Sequence, residues 1–168
     1  MINLIRGGKM EFVEKLFSDV DECKIGISGL TDELLCLYIN NHYQKSKKSI
    51  VVVTNTLFEA NKLHQIIMSY NKDVLLFPMD DFFSSEAMAI SPDLEATRVE
   101  TINKIITSNK PQIVITHLMG ALRYLPPKKI WECSIFSLKK GMSVSKDQLL
   151  NHLQKIGYKR EVTVSKTG

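Results

Sequence analysis

The sequence lacks any long apolar run. No stretch approaches the roughly 20 consecutive apolar residues that a helix needs to cross a bilayer. The opening MINLIRGGKMEFVEKL places charged residues where a signal peptide would need an apolar stretch. We therefore expect a cytosolic protein with no membrane association.

Cysteine is also scarce. The three cysteines, Cys23, Cys36 and Cys133, are far apart and form neither a Cys-x-x-Cys pair nor a Cys/His metal spacing. We interpret them as reduced thiols with packing roles. The four histidines are equally scattered, so the sequence predicts no metal site and no cofactor.

The composition is otherwise that of a soluble folded chain, with 44% hydrophobic and 24% charged residues. The net charge of +4 is unevenly distributed: residues 1–127 hold 13 basic and 15 acidic side chains, whereas residues 128–168 hold nine and three. A basic end of this kind suits phosphates or an acidic protein surface. The alternative is a solvated lysine-rich surface without a partner.

Four short runs rich in β-branched residues alternate with longer stretches of helical periodicity, which is the pattern of βαβ units. The runs VVVT and IVIT are apolar throughout, as a strand covered on both faces requires. The sequence therefore predicts a three-layer α/β domain around a parallel sheet. Its predicted strands are Lys24–Ser28, Ser49–Thr54, Asp73–Pro78 and Gln112–Thr116.

Two of the intervening helices have recognisable amino ends. Thr56 can cap one helix, and Ser91 followed by Pro92 can begin another. The first of these helices has an apolar side at three- and four-residue spacing, which we expect to face the core. That side consists of Leu57, Ala60, Leu63, Ile66, Ile67 and Tyr70.

The pair Pro126-Pro127 is the clearest boundary signal, because neither residue can donate to a helix or a sheet. We therefore predict one domain over residues 1–127 and the start of a second over residues 128–168. The second domain is expected to be an incomplete α+β unit, since two strands and one helix form a poor core. Its predicted elements are a strand at Ser134–Leu138, a turn at Lys140-Gly141, a helix at Lys146–Ile156 between Ser145 and Gly157, and a strand at Arg160–Val164.

The turn after the first predicted strand occupies the position of a phosphate-binding loop, GxxxxGK[ST]. Gly26 and Gly29 are present, but Thr31 replaces the second glycine of the motif, Asp32 the lysine and Glu33 the magnesium-binding hydroxyl residue. Like charges about 4 Å apart repel by about 1 kcal/mol even in water. We therefore predict a degenerate loop without useful ATP affinity, in which the glycines only form a tight turn.

Five segments, taken in order, resemble the amino-terminal part of the bacterial transcription-repair coupling factors and, more distantly, the excision-repair helicase UvrB. The similarity runs from about Glu11 to the end of the chain. It implies a helicase-like domain followed by a truncated small domain that binds UvrA, with the motor in another region of a longer protein. The segments are KIGISGLTDE, VVVTNTLFEANKLHQ, VLLFPMDDFFSSEAMAISPDLEATRVETI, IVITHLMGALRYLPP and ECSIFSLKKGMSVSKDQLLNHLQKIGYKRE.

The resemblance also implies where contacts lie. The family's basic residues after a Gly-Tyr pair contact UvrA, and they match Lys159 and Arg160 here. An arginine fork suits a carboxylate partner, although a solvent-facing Arg160 is the alternative. UvrB clamps DNA with an aromatic hairpin, but here only Phe82 and Phe83 stand beside acidic residues, so we expect weak or absent DNA binding.

These observations favour a non-catalytic interaction module that recruits UvrA to stalled transcription complexes in nucleotide excision repair. Other domains of the full-length protein are further expected partners. Two alternatives stay open: a divergent nucleotide-dependent helicase or UvrB-like ATPase, and a nucleic-acid-binding module whose affinity falls with salt.

Overall fold

The computed structural model describes residues 27–80 and 91–158, in which helices alternate with short strands. The chain divides into two units between Arg123 and Tyr124. In the described part, the first unit contains α1 (Asp32–Ser46), β1 (Ile50–Thr54), α2 (Leu57–Met68), β2 (Val74–Phe77), α3 (Pro92–Thr107), β3 (Ile113–His117) and α4 (Leu118–Ala121). The second contains α5 (Lys128–Ser134) and α6 (Lys146–Lys155).

The three strands form a parallel sheet in the order β1-β3-β2. Ile50 and Val74 both lie opposite Ile113, so the three strands begin at the same level. The predicted βαβ arrangement is confirmed for these strands. The fourth run, Lys24–Ser28, lies mostly outside the described residues, and its last two residues, Ile27 and Ser28, are irregular backbone.

One face of the sheet packs against α1 and α2. Alternate residues along each strand point to this face, because side chains alternate along a strand. The predicted apolar side of α2 is confirmed at Ala60, Leu63 and Ile67, which are buried. The prediction that Tyr70 belongs to this buried side is wrong, since the helix ends before Tyr70 and the residue is 41% exposed. The buried cluster comprises Cys36, Ile39, Tyr43, Ala60, Leu63, Ile67, Val74, Ile113 and Ile115.

The opposite face of the sheet is covered unevenly. Helix α3 lies against β2, where Leu75 and Phe77 are buried. On β1, in contrast, Val51 is 65% exposed and Val53 is 50% exposed. The predicted cover on both faces is therefore wrong for β1 within the described residues, because α3 packs at the other edge of the sheet.

The carboxyl end of the sheet is closed by the turn into α4. Thr116 Oγ1 donates a hydrogen bond to the Phe77 carbonyl at 2.8 Å, and His117 has no solvent exposure. Gly120 lies so close that a methyl group built on it would overlap Thr116 Oγ1 and lie 3.3 Å from the Phe77 carbonyl oxygen. An alanine at this position would have to displace the Thr116 hydroxyl.

The two described cysteines are both free thiols, as predicted, but the predicted packing role holds at only one of them. Cys36 is fully buried in the core, and burial raises the pKa of its thiol to about 11, so it is a packing residue. Cys133 is exposed on α5, so the packing interpretation is wrong there. Cys23 lies outside the described residues.

The second unit differs from its prediction at one element. The predicted strand at Ser134–Leu138 is wrong: α5 occupies Lys128–Ser134, and the residues after it form no strand. The helix is favoured by an ion pair between Lys128 and Glu132 at 3.6 Å, one turn apart. No residue of this unit is buried between positions 124 and 158.

Other features of the second unit are confirmed. Helix α6 begins at Lys146 with Ser145 at its N-cap position, and the turn at Lys140-Gly141 is present with Gly141 at φ +87°. Gly157 adopts the left-handed φ of +102° after α6. The predicted side-chain caps are wrong at Ser145 and, in the first unit, at Ser91, because neither side chain accepts a hydrogen bond from its helix. The predicted strand at Arg160–Val164 lies outside the described residues.

Gly120→Ala should destabilise the first unit by about 1–3 kcal/mol, the usual cost of an overpacked site. The added methyl group displaces Thr116 Oγ1 and breaks its hydrogen bond to Phe77. Urea unfolding followed by circular dichroism measures the change in the free energy of unfolding. In a Thr116→Ala background the same substitution should cost less, because the colliding oxygen is gone; an equal cost in both backgrounds would contradict this explanation.

The stability of the first unit should fall as the pH falls below about 6.5, the ordinary pKa of histidine. Burial lowers the pKa of His64 on α2, so the folded state favours the neutral imidazole. The stability that neutral His64 contributes is fully present above the pKa of this histidine in the unfolded chain. It is lost as the pH falls from that value towards the lower pKa of the folded state. Melting temperatures of the parent and His64→Gln between pH 7.5 and 5.5 test this: the parent should lose more stability on acidification, and parallel curves would refute it.

Candidate functional site

The residues between the first predicted strand and α1 are where a phosphate loop would lie. Of its two glycines, Gly26 lies outside the described residues and Gly29 has a left-handed φ of +79°. No atom lies within 4 Å of a methyl group built on Gly29. The glycine is therefore required by backbone conformation rather than by close packing, which is consistent with a tight turn into the helix.

Thr31 caps the amino end of α1. Its backbone is extended, and Oγ1 accepts a hydrogen bond from the Leu34 N–H at 3.4 Å. Asp32 and Glu33 follow in the first turn of the helix, where carboxylates interact favourably with the positive end of the helix dipole. The helix end that would attract a phosphate is thus already satisfied by a hydroxyl and two carboxylates of the chain itself.

Asp32 has a partner that the sequence did not reveal. Its carboxylate forms an ion pair with the Lys62 ammonium on α2. The hydrogen bond to Asp32, together with its negative charge, raises the pKa of Lys62. Lys62 is therefore paired with Asp32, the residue that occupies the lysine position of the phosphate-binding motif. No spacing rule links positions 32 and 62, so only the packing of α1 against α2 reveals the pair.

The carboxyl ends of parallel strands are where open α/β sheets usually bind ligands. Here that end is filled by protein: His117 and Pro78 are fully buried, and α4 packs onto Thr116 through Gly120. Within residues 27–80 and 91–158, no group of three or more His, Cys, Asp or Glu side chains could hold a metal ion. No helix in those ranges is long and apolar enough to span a membrane.

Arg98 on α3 forms a structural ion pair. Its Nη1 lies 3.5 Å from Asp80 Oδ2, and its Nη2 lies 3.9 Å from Glu95 Oε1. The guanidinium is mostly buried, with 13% of the side chain exposed, so it holds α3 to the segment after β2. Phe82 and Phe83, the two aromatic residues weighed for DNA contact, lie outside the described residues.

The second unit carries the positive charge. Between positions 124 and 158 it holds six lysines against two carboxylates, Glu132 and Asp147. The predicted contact residues Lys159 and Arg160 lie outside the described residues and directly follow Tyr158, whose side chain is 55% exposed. The candidate regions are therefore the α1 amino end in the first unit and the basic second unit.

Sequence comparison finds relatives for most of the chain. It is 30% identical over 161 residues to the transcription-repair-coupling factor of Staphylococcus haemolyticus, covering 92% of this chain and 14% of that protein. It is 31% identical over 144 residues to the Bacillus subtilis protein of the same name, covering 84% of this chain and 12% of that protein. The chain thus spans about one-seventh of the length of these curated relatives. No family model and no solved structure matches.

The chain should show no saturable binding of fluorescently labelled ATP in the micromolar range. The carboxylates of Asp32 and Glu33 stand at the helix end where phosphates would have to bind, and both repel them. A fluorescence-anisotropy titration measures the affinity. The double variant Asp32→Lys, Glu33→Ser should bind more tightly than the parent, whereas micromolar binding by the parent would contradict a degenerate loop.

Proposed function

The chain is homologous to one segment of the transcription-repair-coupling factors, and we propose that it acts in transcription-coupled DNA repair as a non-catalytic docking module. The relationship covers 84–92% of the chain at about 30% identity. In this proposal the first unit is a helicase-like scaffold that has lost nucleotide binding. The second unit is the start of a small domain that recruits UvrA to stalled transcription complexes.

The main support for a non-catalytic scaffold is that residues of the chain itself occupy the amino end of α1. Thr31 caps the helix, Asp32 pairs with Lys62, and Glu33 adds a second negative charge. A phosphate loop needs exposed backbone N–H groups and an available lysine at this place. Both requirements are opposed here by residues of the chain itself, which supports assigning the motor to another region of the longer protein.

The charge of the second unit supports protein docking. Positions 124–158 contain six lysines and only two carboxylates. Lys159 and Arg160 add two more positive charges directly after that range. A surface of this sign attracts an acidic partner and raises its association rate. We therefore assign UvrA contact to residues 128–168, with Arg160 as the residue best suited to pair with a carboxylate.

The same lysines also favour a second candidate function, nucleic-acid binding by the basic unit. Binding through phosphates releases counterions, so the logarithm of the association constant falls linearly with that of the salt concentration. A steep salt dependence for a DNA oligonucleotide, together with no binding of UvrA, would favour this alternative over the docking module.

Arg160→Glu should weaken the binding of purified UvrA by at least about tenfold, because it replaces a charge-paired contact by a repulsive one. Isothermal titration calorimetry at one fixed salt concentration measures Kd. Lys110→Glu is the matched control: it makes the same charge change at an exposed lysine of the first unit and should change Kd far less. Equal affinities for both variants would remove Arg160 from the interface.

A further inference from the structure

Strand β1 forms an open edge of the sheet. It pairs with β3 on one side, and within residues 27–80 and 91–158 no strand pairs with its other side. We propose that this edge binds the same edge of a second copy of the chain in antiparallel orientation, so that the two sheets join into one. The inference concerns the first unit alone and does not depend on the proposed function.

The backbone of β1 directs hydrogen-bonding groups to this edge. The Ile50 N–H donates to the Gln112 carbonyl at 3.0 Å, on the side of β3. The N–H and C=O groups of successive residues in a strand point to opposite sides, so those of Val51 and Val53 point away from β3. A strand edge of this kind is a template for pairing with another chain.

The side chains of β1 do not oppose such pairing. Natural edge strands are commonly protected by charged residues, prolines or bulges, but Ile50–Thr54 reads IVVVT and contains neither a charge nor a proline. Val51 and Val53 are also the exposed valines of the partly covered sheet face. The edge therefore offers outward-pointing backbone groups next to apolar side chains, and a second β1 strand matches both.

The outward-pointing residues also specify a register. With a two-fold axis at Val52, Val51 of one copy lies opposite Val53 of the second copy, and each such pair exchanges two backbone hydrogen bonds. Both copies then turn the same sheet face to one side, so the exposed valines become cross-strand neighbours with Cβ atoms about 5 Å apart. The contact is isologous, since one patch serves both copies.

The two ends of the sheet carry opposite charges. Helices α1, α2 and α3 each lead into a strand that is parallel to the others, so their acidic first turns lie towards the carboxyl end of the sheet. The connections that enter the strands lie at the amino end and carry lysines. The first-turn carboxylates are Asp32, Glu33, Glu59, Asp93 and Glu95, and the lysines are Lys47, Lys48, Lys72 and Lys110.

Few charges oppose this separation. Asp73 is the one acidic residue in the three connections. At the carboxyl end, Lys62 and Arg98 are already in ion pairs with Asp32 and Asp80. The first unit is therefore basic at one end of its sheet and acidic at the other.

Antiparallel pairing places the acidic end of one copy beside the basic end of the other. Lys48 lies four residues before Val52 and Thr56 four residues after it, so Lys48 of one copy faces the amino end of α2 in the second copy. Glu59 is exposed there. Parallel pairing would instead place like charges together, and complementary charges fix the orientation of an interface. The edge thus complements itself in backbone groups, side chains and charge.

Sedimentation equilibrium of the full chain tests the pairing. The average mass of the parent should rise with concentration from 19.1 kDa towards twice that value. Val51→Lys combined with Val53→Lys places lysine opposite lysine in both cross-strand pairs and should weaken dimerisation by at least about tenfold. Val51→Glu combined with Val53→Lys places glutamate opposite lysine in the same pairs and should restore dimerisation. Val99→Lys, at a valine of α3 that is 52% exposed, is the matched control and should dimerise like the parent.

Three results would overturn the proposal. A parent mass of 19.1 kDa at every concentration would show that the edge binds no second copy. Equal dimerisation of the parent and the double-lysine variant would assign the dimer to another surface. A glutamate–lysine variant that keeps the parent's circular dichroism spectrum but stays monomeric would refute the Val52-centred register.

Discussion

The double pairing of the central strand β3 is the interaction on which the first unit depends. β3 hydrogen-bonds to β1 on one side and to β2 on the other, and these contacts join residues far apart in the chain. Helices α1 and α2 pack on the surface that this pairing creates. The closed carboxyl end also depends on it, because Thr116 of β3 reaches the Phe77 carbonyl only while the two strands stay in register. Loss of β3 would leave neither a core nor a platform for α4.

Local chemistry allowed much of this unit to be predicted. Short runs rich in β-branched residues indicated the three strands, and the capping threonine with a three- and four-residue apolar spacing indicated α2. What could not be predicted were properties set by neighbours distant in sequence. The exposed face of β1 is an example: Val51 and Val53 look like core residues in VVVT, but their burial depends on where α3 packs. The wrong strand at residues 134–138 has a similar cause, since a strand needs a partner that no local pattern supplies.

The candidate site shows the same division between local and distant information. The substitutions Thr31, Asp32 and Glu33 could be identified from a motif and interpreted by charge alone. The engagement of Asp32 by Lys62 required the packing of two helices. This pair changes the chemical meaning of the loop, because Asp32, which stands at the position of the motif's lysine, binds the ammonium of Lys62. Replacing Asp32 would therefore also release Lys62 from its ion pair.

The absence of buried residues between positions 124 and 158 has a thermodynamic consequence. These residues have little apolar burial to oppose local opening, so their amide protons should exchange with solvent far sooner than those of the β3 strand. Any partner that covers such a unit also orders it, and part of the interaction free energy is spent on that ordering. Association of this kind is specific yet readily reversible.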